Sequence, residues 1–235
     1  MNIDPEAREK KSLDLLNIIP WDTGAVVIGG YSILGYDVLR YSDDLDIVAP
    51  KNSLGALLKW FNYNGYQTVK TAIPNPQNYD GNFIRFSKDE VTVDLLIGAV
   101  RDRDAQVDIP ASWITRSSVR KKVKGFNYST SIDVRLARPE ALWGLKIQAG
   151  RDQDLTDLYS IHDRKFKIGE VTDLFEELMS PNLKKKLTAT RERVLSPKLY
   201  SDTRSKLGLK DTKGTRADWE RYLKTVCSIV DESCK

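Results

Sequence analysis

The stretch Val27-Ile28-Gly29-Gly30-Tyr31-Ser32 is followed, with thirteen residues between Gly30 and Asp44, by Asp44-Leu45-Asp46-Ile47. An apolar run that stops at two glycines reads as a buried strand ending in a tight turn. The second stretch places two acids at alternate positions of an otherwise apolar strand. Side chains alternate faces along a strand, so Asp44 and Asp46 share one face, roughly 6–7 Å apart along the chain, while Leu45 and Ile47 point into the core. Holding two like charges side by side is costly unless a positive charge lies between them. A divalent cation does this, and carboxylates alone suit Mg²⁺ or Mn²⁺. A glycine turn beside such a pair points to a phosphate-bearing ligand, hence to nucleotide chemistry.

Asp94 is the third acid of interest. It interrupts the apolar strand Val91-Thr92-Val93-Asp94-Leu95-Leu96-Ile97. One reading is a buried Asp paired with an arginine. The other is that Asp94 faces Asp44 and Asp46 from a neighbouring strand. Three convergent carboxylates would make a two-metal site, one ion activating a hydroxyl and the other steadying a triphosphate, with Asp94 also available as a general base.

Outside these stretches the composition is that of an ordinary soluble chain: 235 residues, 40% apolar and 30% charged. No apolar run reaches the ~18 residues of a membrane span. The first residues, Met1-Asn2-Ile3-Asp4-Pro5-Glu6, have no apolar signal core, which leads us to expect a cytoplasmic protein. A single histidine, His162, excludes zinc sites built from several histidines. On a helix-like segment, it reads as a surface or packing residue. Cys227 and Cys234 lie two helical turns apart, roughly 10 Å, too far for a disulfide if that helix persists. The net charge of +4 is unevenly spread: residues 181–235 hold fourteen Lys/Arg and seven Asp/Glu, and residues 1–180 hold twenty-three and twenty-six. The basic end reads as a solvated helical face or as a nucleic-acid contact surface.

Periodicity predicts an α/β (α+β) chain, with mixed strands and helices first and helices alone afterwards. We expect a short mixed sheet flanked by helices over residues 1–137, and a helical domain over 138–235, basic from about 181. The predicted elements are a helix from Pro5 to before Pro20, strands Ala25–Ile28 and Leu45–Ala49, and a short helix over about Ser32–Leu39. Next come a helix Asn52–Asn62, a strand Tyr66–Ile73 and a loop over 74–81. A hairpin Phe83–Ser87/Val91–Ile97 turns at Lys88-Asp89-Glu90, followed by strands near Val119–Val123 and Ser131–Leu136. Helices run from Pro139 onward, the last over about Arg216–Val230.

The ordered set Gly29-Gly30-Tyr31-Ser32, Asp44-Leu45-Asp46-Ile47 and a later strand Asp94 resembles the DNA polymerase β-type nucleotidyltransferase superfamily. The resemblance covers about residues 25–160. It implies that Gly29, Gly30 and Ser32 hold the phosphates of an NTP, that Asp44 and Asp46 bind Mg²⁺ or Mn²⁺, and that Asp94 completes the catalytic triad of acids. A second stretch, Leu145-Lys146-Ile147-Gln148-Ala149-Gly150-Arg151-Asp152-Gln153-Asp154-Leu155-Thr156-Asp157-Leu158, resembles a segment of the AbiEii-type nucleotidyltransferases. These are toxins of toxin–antitoxin and phage-defence systems. Here Arg151 stands one or two places from the family's basic residue. The resemblance implies that Lys146 and Arg151 meet the donor phosphates, with Asp154 and Asp157 supporting the site. Read without it, Asp152 and Asp154 cap a helix and Lys146 is solvated.

The function expected is therefore transfer of a nucleoside monophosphate from an NTP to an acceptor hydroxyl. RNA such as tRNA is the expected acceptor because phosphates need counter-charge, supplied here by Lys184, Lys185 and Lys186. Tyr200, Trp219 and Tyr222 would either stack on unpaired bases or form core. An antitoxin protein is a possible partner, and no membrane is expected. The alternatives are a small-molecule (aminoglycoside-like) or protein acceptor, and a non-catalytic nucleotide- or partner-binding module of the same fold.

Overall fold

A computed structural model describes residues 4–38, 40, 42–72, 82–102, 104–125 and 130–235. The loop expected over 74–81 lies outside them. The chain forms two compact units, one of residues 1–101 with 108–141 and the other of 102–107 with 142–235.

The first unit is α/β with a mixed sheet. Its opening helix α1 (Pro5–Ile18) starts as the Asp-Pro pair dictates: Asp4 accepts from the Glu6 amide at 3.0 Å, and proline fills the first helical position. The helix buries Leu13, Leu15 and Leu16. Strand β1 (Val26–Ile28) leads at once into a five-residue helix, α2 (Gly29–Ile33), and a 3₁₀ turn, Leu34–Tyr36. The turn is tighter than the expected helix over Ser32–Leu39, because Gly29 adopts φ +66° and bends the chain immediately after the strand. Then come β2 (Asp44–Ala49), α3 (Leu54–Tyr63), β3 (Gln67–Ala72), β4 (Asn82–Lys88) and β5 (Val91–Ile97). The expected β4–β5 hairpin is present. Its turn is only the pair Asp89-Glu90, both at positive φ (47° and 74°), as two-residue hairpin turns of the right twist require.

Three short elements between 98 and 118 were not expected: β6 (Ala99–Asp102), β7 (Val107–Pro110) and the helix α4 (Ala111–Arg116). Four to six residues are too few for a periodic signal to separate from its surroundings. β8 (Ser118–Val123) and β9 (Ile132–Ala137) close the unit. The main sheet runs β3-β4-β5-β2-β1-β9-β8, with β6 and β7 as a separate pair. β2 lies parallel to β5, and β1 parallel to β9 but antiparallel to β2. One face is core: Leu45, Ile47, Val93 and Leu95 are almost wholly buried, as are Phe61 of α3 and Phe86 of β4, whose rings stack at 4.4 Å. Truncating Phe61 to alanine would cost about 3–5 kcal/mol. The acids stand on the other face.

The second unit is helical: α5 (Pro139–Ala149, begun in the first unit), α6 (Asp152–Ser160), α7 (Ile168–Glu177), α8 (Pro181–Val194), α9 (Pro197–Lys206) and α10 (Lys213–Ser233). Ser180-Pro181 and Ser196-Pro197 are twin starts, a serine cap and proline at the first position. Trp219 and Tyr222 are core, and Tyr200 is partly exposed. Tyr222 is fully buried and donates to the Leu155 carbonyl at 2.9 Å, Trp219 packs beside it at 5.1 Å, and the Tyr200 hydroxyl donates to Asp211 at 2.8 Å. The base-stacking alternative for Trp219 and Tyr222 fails on their burial. His162 lies in the turn after α6 rather than on it, stacked on Tyr159 at 4.9 Å, a packing position. Cys227 and Cys234 are free thiols. Among the described residues, no helix is long and apolar enough to cross a membrane.

Candidate active site

Sheet register builds the site. Asp46 of β2 pairs directly with Asp94 of parallel β5, and Asp94 pairs directly with Arg85 of antiparallel β4. On the other side Asp46 pairs with Ile28, the last residue of β1 before the glycines. Directly paired residues share a face with their Cβ atoms ~5 Å apart. The register therefore lays Arg85, Asp94, Asp46 and the glycine turn in one row across four strands. Asp44 joins by the two-residue period of β2. Asp44, Asp46 and Asp94 each offer a carboxylate oxygen within 4.8 Å of the others. Asp43, on the opposite side of the chain, pairs instead with Arg8 at 2.8 Å.

Arg85 is the residue that sequence reasoning missed. Its Nε and NH2 donate to the two oxygens of Asp94, both at 2.6 Å, and NH2 lies 3.7 Å from Asp44. Both readings of Asp94 thus hold at once: it pairs with an arginine and it faces the other two acids. Hydrogen bonding to Asp94 holds the guanidinium pKa above its ordinary value. Burial, and then the neighbouring Asp94 charge, push the Asp44 carboxyl up, with Arg85 opposing them. Within this set of four, three carboxylates outnumber one guanidinium, an excess of negative charge that a divalent cation would offset. An all-oxygen donor set is what Mg²⁺ and Mn²⁺ prefer. The residues present therefore fit such an ion.

Gly29 is required by contact as well as by conformation, and Gly30 is constrained by contact alone. A Cβ on Gly29 would overlap the Asp46 carboxylate, lying 2.9 Å from its Cγ, at a backbone φ of +66° that L-residues rarely adopt. A Cβ on Gly30 would meet the Arg40 guanidinium and Ser42 Oγ, the latter at 2.6 Å. Ser42, not Ser32, is therefore the hydroxyl facing Gly30. Ser32 is fully buried, and its hydroxyl donates to the Gly29 carbonyl at 2.7 Å, pinning the turn. Tyr31 is 3% exposed and packs in the core of the sheet unit, where burial raises its pKa.

The remaining candidates form a second cluster, inside the helical unit. Lys146 is 5% exposed, and its ammonium donates to Asp157 at 2.7 Å and Asp154 at 3.2 Å. Arg151 donates to Asp154 from Nε at 2.6 Å, with its side chain 77% exposed. Burial alone would raise the Asp154 carboxyl, but Lys146 and Arg151 outweigh it and hold its pKa below the ordinary value. Lys146 is thus an interior ion-pair residue, not a solvated one. Of the three lysines expected to meet RNA, Lys184 donates to the Cys234 carbonyl at 2.8 Å, and Lys186 pairs with Asp102 and, at 3.2 Å, Asp104. Among the described residues, Lys185 makes no such bond and is exposed.

No family model and no curated protein matches the chain. Among solved structures it is similar to the antibiotic-resistance factor ANT(2'')-Ia in solution, with 14% identity, coverage of 81% of this chain and 94% of that one, and a TM-score of 0.42. It is similar also to crystalline ANT(2'')-Ia in complex with adenylyl-2''-tobramycin, with 14% identity, 79% and 98% coverage and a TM-score of 0.38. A third is the Elizabethkingia meningoseptica CdnE cyclic dinucleotide synthase with GTP and Apcpp, with 11% identity, 95% and 90% coverage and a TM-score of 0.26.

Proposed function

We propose that the chain is a metal-dependent nucleotidyltransferase that moves a nucleoside monophosphate from an NTP to an acceptor hydroxyl and releases pyrophosphate. The observation that carries this reading is the direct β2–β5 pairing of Asp46 with Asp94, with Asp44 beside them and the glycine turn against Asp46. Asp44, Asp46 and Asp94 would hold Mg²⁺ or Mn²⁺. Bound there, such an ion supplies Lewis-acid polarisation of phosphoryl oxygens and of an attacking hydroxyl. Gly29 and Gly30 let the backbone approach the donor phosphates. Arg85 orients Asp94 by a two-point bond and offsets one of the three negative charges. Both oxygens of Asp94 already accept from Arg85, so we assign Asp94 to ion binding ahead of proton abstraction. In the helical unit, Arg151, exposed and paired with Asp154, would meet a nucleotide phosphate, while Lys146, Asp154 and Asp157 hold the helix that presents it.

For the acceptor we propose RNA, tRNA included, on the basic charge of residues 181–235. An AbiEii-type toxin role, with an antitoxin protein as partner, follows from the resemblance of the 145–158 stretch. A second reading has one observation in its favour. The Arg85–Asp94 pair would stabilise the row of acids in a protein that binds nucleotide without turning it over. Pyrophosphate release, measured with each NTP in Mg²⁺ or Mn²⁺ with and without bulk tRNA, separates the two. RNA-dependent release that stops in EDTA and in Asp44→Asn supports the transferase. NTP binding without release under every condition supports the binding module. Release that depends on an aminoglycoside instead moves the acceptor to a small molecule.

A further inference from the structure

The mildly acidic balance of residues 1–180 conceals a strongly basic sheet edge. Between Ile109 and Ile132 there is no acidic residue, and Arg116, Arg120, Lys121, Lys122 and Lys124 fall within nine positions. They occupy the end of α4, strand β8 and the residue just after it. Among the described residues β8 pairs only with β9, so its other side is a free sheet edge.

Alternation sorts these cations. Val119, Lys121 and Val123 take one face, and Lys121 turns inward, donating to the Gly35 carbonyl at 2.6 Å with its ammonium 4.2 Å from the Tyr36 ring centre. Arg120 and Lys122 take the other face and are exposed, and Lys124 beyond them is exposed too. Successive cations on that line are separated by about 6.6 Å of strand. The pairing with β9 adds a like charge, because Arg120 sits directly opposite Arg135, an unfavourable cross-strand pair. Arg135 is held there by Ser118 Oγ at 2.9 Å and the Thr115 carbonyl at 3.3 Å. Among the described residues the carboxylate on this face is Asp133, directly opposite Lys122 and 3.4 Å from Arg120, with the Arg120 and Asp133 side chains half exposed. One or two lysines would protect a free edge from pairing. A row of cations with a like-charge pair facing it exceeds that need, and an external polyanion would relieve the repulsion.

We infer that the β8 edge, with Arg120, Lys122, Lys124 and Arg135, binds the phosphate backbone of single-stranded RNA. A single row of evenly spaced cations fits one extended backbone, whereas a duplex presents two. This inference rests on the proposed RNA acceptor and relocates its main contact surface to the sheet unit. Many cations of the basic C-terminal segment are spent within the fold: Lys184 and Lys186 as above, Arg191 on Asp231, Arg204 and Arg216 on Asp211, and Arg221 on Asp218.

The test is fluorescence anisotropy of a short labelled oligouridylate against the full-length chain over a series of salt concentrations. The Lys122→Gln/Lys124→Gln variant is compared with Lys198→Gln/Lys213→Gln, a pair of exposed lysines in the helical unit. Loss of two phosphate contacts should weaken binding and make the slope of log K against log salt shallower by about 1.4. The control pair should leave the slope unchanged. Thermal melts confirm that both variants fold, and single Lys122→Gln and Lys124→Gln variants, each losing about half that slope, serve if the double variant does not. Equal weakening by both pairs, no saturable RNA binding, or binding to anionic lipid vesicles in place of RNA would overturn the inference. If RNA binds at the edge but no NTP yields pyrophosphate, the transferase reading has failed and the surface stands. If pyrophosphate is released but the edge variants bind RNA normally, the surface has failed alone.

Discussion

Replacing Asp46 with asparagine should move stability in opposite directions with and without metal. In the metal-free protein the substitution removes repulsion from Asp44 and from Asp94, and it also removes one attraction to Arg85. At the cluster's outer separation of 4.8 Å, one carboxylate pair repels by about 3.5 kcal/mol at an effective dielectric of 20. The two repulsions exceed the attraction to Arg85 by at most about one such unit. Because Asp44 and Asp46 are only half buried, solvent screening reduces it to about 1–2 kcal/mol. The asparagine keeps the shape of the side chain, so no cavity offsets the gain. The variant should therefore melt about 2–8 °C higher than wild type in EDTA, for a chain of this size. Added Mg²⁺ or Mn²⁺ should reverse the order. At one hundred times its Kd the ion stabilises the wild-type protein by about 2.7 kcal/mol, and it should add almost nothing to the variant. Thermal melts in EDTA and across a metal titration, with calorimetric binding of the metal alone, measure both arms. A wild-type melt unmoved by millimolar Mg²⁺ and Mn²⁺, or an Asp46→Asn protein less stable than wild type in EDTA, would refute the metal-site reasoning.

Gly29→Ala should cost at least about 1–2 kcal/mol in urea unfolding from the positive φ alone and should abolish metal binding by displacing the Asp46 carboxylate. A variant that binds metal normally would show that the turn does not define the site. Asp154→Asn should destabilise the protein by about 3 kcal/mol at pH 7, because it leaves Lys146 with a weakened partner set in a buried place. The folded pKa of Asp154 lies below its unfolded value of about 3.9, so its contribution is complete above that pH and is lost as the pH falls through the folded pKa. The gap between wild type and variant in chemical denaturation should accordingly close on acidification below about pH 4, and a gap of constant size down to pH 2 would assign the loss to packing instead.

The alternation of Asp44-Leu45-Asp46-Ile47 and the Asp-Pro and Ser-Pro helix starts are local facts. They depend on one or two turns of chain, so the elements carrying the acids, and the shared face of Asp44 and Asp46, could be read directly from the sequence. Asp94 as a partner of that pair could be posed only as one of two readings, because parallel pairing of β2 with β5 joins residues nearly fifty positions apart. Arg85 was hidden by a single residue of register. A three-residue turn over 88–90 would have set it opposite Val93, whereas the two-residue turn Asp89-Glu90 sets it opposite Asp94. A one-residue slip changes every pairing in a hairpin. Charge counting along the chain likewise could not say which cations the fold leaves exposed. The sum over 181–235 is a property of sequence, but whether a lysine is available to a ligand depends on which carboxylates and carbonyls the folded chain brings to it. Lys146 makes the same point from the inside, since its helix was legible and its burial between Asp154 and Asp157 was decided only when α5 and α6 packed together. Sequence alone determined which residues carry charge and on which face of its own element each one stands. Tertiary structure decided which charges meet, because that depends on strand register and helix packing between segments far apart in the chain.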